Sequence, residues 1–260
     1  MPQESKKNLK LIPIFSGAFL LTILMYLFKP FGENFYILAD IIPILYSLLS
    51  LIFAFQSYKL IGFKSIQGKS LFLIFMALLF WFLGELTWGV YEILIGIKSP
   101  SPSIADIFWL SGYPLFICSL YYLSKMISVR FEKFKTIIIF TLIFAISISI
   151  YKLTIPSLKE ETTILEKVIN NSYVIFDGIL LISLILVIVG FSNSKFILSW
   201  GLIFLSILVI LIADIYYNIY SEIYETGDII DILWDLGYLL FSLGFIIYKR
   251  TFKNILMDKI

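Results

Sequence analysis

SLFLIFMALLFWFLGELTWGVYEILI, residues 70–95, decides the fold class. A helix that crosses a bilayer needs about 20 consecutive apolar residues, and this run supplies them while carrying a carboxylate, Glu85, in its interior. Comparable runs recur along all 260 residues. The chain is 60% hydrophobic and only 15% charged, where a soluble domain carries about 25% charged residues. An all-α integral membrane protein is therefore expected, with eight transmembrane helices at about 11–28, 36–58, 70–95, 104–124, 135–151, 172–190, 196–218 and 229–248. The first run has a basic flank like a signal peptide but lacks a small-residue cleavage site, so it counts as a helix. Turn chemistry separates the runs: KPFGEN, GFKSIQGKS, the Ser-Pro run from Ser99, and ETGD. The longest expected loop lies around 152–171, and no polar stretch suffices for a separate soluble domain.

Charge sets the expected orientation. With the N-terminus cytoplasmic, all but Lys29, Lys98, Lys152, Lys159 and Lys167 of the 20 basic residues fall on the cytoplasmic side. The positive-inside rule then puts both termini there, in a multi-pass protein of the cell membrane. The carboxylates gather toward the opposite side, which that rule does not explain.

Two absences narrow the chemistry. There is no histidine, which excludes bis-His haem, His-ligated zinc and His general-base catalysis. The single Cys118 cannot form an internal disulfide and reads as a small buried hydrophobe. No cofactor is expected; a cation held by carboxylate oxygens is the inorganic option that remains. The bilayer and a small ligand are the expected partners, and nucleic acid is not.

Three segments recur in the same order. NFYILAD (34–40) pairs with NSYVIFD (171–177), GELTWGVY (84–91) with ADIYYNIY (213–220), and DIFWLSGY (106–113) with DILWDLGY (231–238). Their order and spacing predict a duplication, 1–130 and 131–260, as two parallel four-helix repeats within one membrane domain.

The duplicated segments carry the candidate ligand-binding residues. An ionised side chain near the bilayer centre costs at least about 2.5–3.5 kcal/mol, so Glu85 and Asp214 need an explanation. Glu85 lies about 11 residues from the end of its span, roughly 15 Å deep. Asp106, Trp109 and Tyr113 share one helix face, and Asp231, Trp234, Asp235 and Tyr238 form the counterpart stripe. Ser103–Asp106 and Asp228–Asp231 also fit helix-start capping pairs. Asp40 and Asp177 are expected near the outer starts of their spans, and Trp88 either joins them or belongs to an interfacial aromatic belt together with Tyr91, Tyr217 and Tyr220. Acids beside aromatic faces suit a cation or an amphipathic amine.

GELTWGVYE, followed by SPSPSIADIFWLSGYPLF, resembles the multi-helix membrane regions that precede GGDEF or histidine-kinase modules in prokaryotic signalling proteins. The resemblance implies a sensory input module. Because Lys249–Ile260 is short, it also implies a separate cytoplasmic signalling partner. Gly84-Glu85 and Ala213-Asp214 are similar, less closely, to the paired acidic motifs of lysoplasmalogenase-like eight-helix membrane proteins. Three readings follow: a ligand-binding sensor, a proton-coupled or cation transporter, and a lipid-cleaving hydrolase, with catalysis ranked behind binding.

Overall fold

The computed structural model describes residues 11–98, 102–126, 148, 163–221 and 223–257. Among them are seven long helices and no strand: α1 (Leu11–Phe28), α2 (Phe35–Ile61), α3 (Ile66–Gly89), α4 (Ile104–Ser124), α5 (Ile164–Gly190), α6 (Ile197–Tyr220) and α7 (Asp231–Met257). Six are long and apolar enough to cross a membrane once short 3₁₀ and π extensions are included, and α1 offers a shorter apolar stretch, Pro13–Phe28. The chain is thus all-helical and has the make-up of a multi-pass membrane protein. Apart from residue 148, the expected span at 135–151 lies outside the described residues, as do Ser99–Ser101.

Several helices run past their expected bounds, α2 to Ile61, α3 from Ile66 and α7 to Met257. Residues 164–171, expected as loop, form the first turns of α5, because Thr163 and Glu166 build a reciprocal capping box that starts the helix early. The expected end at residue 95 holds, but beyond Gly89 the segment continues as a π-helical turn, Val90–Ile95, a form that hydropathy does not reveal.

Six helices close a ring. Each of α2 through α7 packs against the next, and α7 returns to pack against α2, while α1 leans on α7 from outside. Little hydrophobic drive joins helices in lipid, so close approach and polar contacts must hold such a ring. Two glycines do this between α3 and α4. A Cβ on Gly84 would stand 2.4 Å from Trp109 Nε1, and one on Gly112 would stand 2.4 Å from Trp81 Nε1. Each helix thus lays a tryptophan across a glycine of the other, and Trp81 Nε1 donates to the Trp109 carbonyl at 3.0 Å. Further along, the Ser70 and Ser119 hydroxyls meet at 2.8 Å. Ser206 Oγ donates to the Gly237 carbonyl (2.7 Å) between α6 and α7, and Ser57 Oγ to the Phe245 carbonyl (3.2 Å) between α2 and α7. The apolar core follows the ring, with Leu71, Ile74, Phe116, Leu180, Ile207 and Phe241 buried in it.

Cys118 departs from expectation. It is exposed, on the side of α4 turned away from the ring, because the buried positions Phe116, Ser119, Leu120 and Leu123 mark the inward face.

Candidate functional site: an acidic, aromatic cavity inside the helix ring

A cavity of about 130 Å³ lies within the ring and is lined from all six helices. Asp40 comes from α2; Trp81, Glu85 and Trp88 from α3; Asp106, Trp109 and Tyr113 from α4. Asn170 and Tyr173 come from α5, Asp214 and Tyr217 from α6, and Asp231, Trp234 and Tyr238 from α7. Tyr224 and Thr226, in the turn between α6 and α7, complete the wall. Five carboxyl groups line this space and no lysine or arginine does.

Glu85 and Asp214 are only half-buried, unlike the other three. Each is held by ring donors from two helices. Glu85 Oε1 accepts from Trp109 Nε1 at 3.1 Å and from the Tyr238 hydroxyl at 2.6 Å. Asp214 Oδ1 accepts from Trp234 Nε1 at 2.6 Å, and its Oδ2 lies 3.4 Å from the Tyr113 hydroxyl. That hydroxyl also donates to Asp177 Oδ1 at 2.8 Å, so one phenol stands between two carboxyls. In both cases the tryptophan comes from the helix next along the chain and the tyrosine from across the ring.

Asp106 and Asp231 do different work at their helix starts. Asp106 closes a capping box with Ser103, accepting its N–H at 2.7 Å, and receives the Tyr173 hydroxyl at 2.8 Å. Asp231 accepts the Gly227 N–H at 2.8 Å and the Tyr224 hydroxyl at 2.9 Å, so it ties down the preceding turn. The expected Asp228–Asp231 capping pair is replaced by this arrangement, and Asp228 instead accepts from the Glu225 N–H at 3.3 Å. Gly227 adopts φ of 100°, a conformation that suits glycine, which lets the turn fold back over Asp231. Burial first, and then the Asp231 carboxylate, push the Tyr224 phenol well above its ordinary value, which keeps it a donor. Thr226 Oγ1 donates to Glu92 in the π-turn at 2.9 Å and receives Trp88 Nε1 at 3.4 Å.

Of the twelve residues expected from sequence, ten line the cavity. The other two stand behind it. Asp177 lies mid-way along α5, fully buried rather than at an outer start, because α5 begins early; it reaches the site through Tyr113. Asp235 is fully buried on the side of α7 toward the Tyr26 hydroxyl of α1, one residue round from Trp234. Trp88 and Tyr217 are wall residues rather than a surface belt. Tyr91 and Tyr220 are absent from the wall, and Tyr220 is exposed. Sequence reasoning missed Trp81, Asn170, Tyr224 and Thr226. Trp81 had a signal, four residues before Glu85 on the same face, whereas the two turn residues obey no periodicity.

The donors and acceptors of the wall are unequally used. Every wall tryptophan and tyrosine is engaged, most of them with carboxylates or carbonyls. The buried polar atoms of the wall left without a partner are acceptors: Asp40 Oδ2 and Asn170 Oδ1. Among the described residues, no three acidic or cysteine side chains are grouped as a metal ion would require. A second depression, of about 450 Å³, lies beyond Tyr224 and Thr226, which wall both spaces; Lys29, Glu33, Glu92, Lys98 and Glu225 border it.

Comparison with protein-family models, with curated proteins and with solved structures finds no match to this chain.

Proposed function

We propose that the chain is a sensor-like binding module of the cell membrane whose cavity takes an organic cation, an amine. The observation that carries this reading is that the wall sets five carboxyl groups among aromatic rings with no basic side chain, and that its buried atoms without a partner, Asp40 Oδ2 and Asn170 Oδ1, are oxygens. An ammonium group brings donors and positive charge and no acceptor, and ring faces attract it further. With both termini cytoplasmic the cavity opens outward, and the depression beyond Tyr224 and Thr226 is the approach to it. Signalling then runs through a separate cytoplasmic partner. The matched bonds Trp109–Glu85 with Trp234–Asp214, and Tyr238–Glu85 with Tyr113–Asp214, connect positions that correspond in the repeated segments, which supports the duplication.

The test is thermal unfolding of the purified protein in detergent or nanodiscs against a panel of small amines. A saturable rise in Tm is expected, smaller in Glu85→Gln and Asp214→Asn, and shrinking as pH falls because protonated carboxyls no longer attract the cation. A flat response across the panel would sink the reading. The phenol shared by Asp177 and Asp214 favours a second reading, a proton-coupled carrier, since two close carboxyls hold a proton between them readily. Amine-driven proton flux in proteoliposomes would move the assignment there.

A further inference from the structure

Two acids of the cavity wall are each held from two helices. Glu85 Oε1 is held by Trp109 and Tyr238, so both donors land on one oxygen and Oε2 stays available on a half-buried residue. Asp40 stands beside it: its Cβ lies 3.7 Å from where a Gly89 Cβ would be, one helical turn beyond Glu85 on α3. Asp40 is 3% exposed, lines the cavity, and its Oδ2 has no hydrogen-bond partner. Asp214 is held by Trp234 and Tyr113, and fully buried Asp177 lies directly against it and shares the Tyr113 hydroxyl.

The remaining wall acids are already compensated. Asp106 and Asp231 sit at helix N-termini, where backbone N–H groups and the helix dipole favour a negative charge, and each also takes a tyrosine hydroxyl. Glu85 and Asp214 lie away from the helix starts, with Asp40 and then Glu92 near the first and Asp177 near the second, and no basic side chain shares the wall. A ligand with one positive charge can balance only one of these two acids.

We propose, resting on the amine-binding reading above, that the ligand is a compact dication: two ammonium groups on a short chain, one held at Glu85 and Asp40, the other at Asp214. Two acids call for two charges. The volume sets the scale, since about 130 Å³ is close to the roughly 150 Å³ of an engineered cavity that holds benzene. A short diamine suits that space, and a long polyamine does not.

The experiment is a matched series on the full chain: ethylenediamine, putrescine and cadaverine against ethylamine, butylamine and pentylamine, at equal ionic strength and neutral pH. A second charge-assisted contact is worth enough that the best diamine should bind about tenfold or more tighter than its matched monoamine. An optimum in chain length is also expected, because a packed wall fixes the separation of the two acids. In Glu85→Gln and in Asp214→Asn the diamine advantage should fall away, and each should do so alone. If a variant does not fold, the wild-type comparison of diamine with monoamine still decides. Monoamines that bind as tightly as their diamines would overturn the two-headed ligand while leaving the amine site intact. If neither class binds, the underlying reading fails instead.

Discussion

Glu85 Oε1 takes two donors from helices on different sides of the ring, and each donor has a measurable weight. Tyr238→Phe removes one, and Trp234→Phe removes the ring N–H that serves Asp214. A carboxylate left short of a donor inside the bundle costs about 1–3 kcal/mol, so each variant should unfold that much more easily in a mixed-micelle denaturation series. Tyr238→Phe combined with Glu85→Gln should cost less than the sum of the two, because they remove the same bond. The acids were legible in the sequence for an energetic reason: a charge inside an apolar run is expensive, so Glu85 and Asp214 announced themselves. Their companions Trp109, Tyr113, Trp234 and Tyr238 were legible through helical spacing. Tyr224 and Thr226 were not, since a turn has no period and only the folded chain brings ETGD over Asp231.

At the scale of elements, α3 and α4 approach closely because Gly84 and Gly112 leave room for Trp109 and Trp81. Gly112→Ala places a methyl group 2.4 Å from the Trp81 ring nitrogen, and overpacking of this kind costs about 1–3 kcal/mol. Gly201→Ala is the control. Nothing lies within 4 Å of a Cβ there, so alanine's better helix propensity should leave stability unchanged or slightly raised. Thermal unfolding of the two variants side by side checks the contrast. The helices themselves were readable as apolar runs, and the bounds of α1 and α4 fall where hydropathy put them. What hydropathy lacked was local chemistry. The capping box of Thr163 and Glu166 sits in a polar stretch, and π-turn Val90–Ile95 is set by backbone bonding that composition does not encode.

The whole molecule presents apolar side chains outward from the ring, Leu45, Phe55, Leu86, Ile107, Leu198 and Ile212 among them. Cys118 lies on that surface and is the only cysteine in the chain. It therefore offers a native test of membrane placement. A spin label attached there should be relaxed more strongly by dissolved oxygen, which partitions into lipid, than by a water-soluble nickel chelate. The reverse order would argue that this face of α4 meets water.

The crossed tyrosines have one more consequence. Tyr113 lies before residue 130 and serves Asp214 after it, while Tyr238 lies after and serves Glu85 before. Neither stretch of chain contains the full set of donors for its own acid, so the cavity amounts to a handshake between two incomplete bodies. Cut apart, they would have to find each other by diffusion. Joined, they meet at an effective concentration set by the chain between them and not by how many copies are present. The continuous backbone is thus what lets a mutual dependence, which two separate chains would satisfy only when abundant, be met at any copy number.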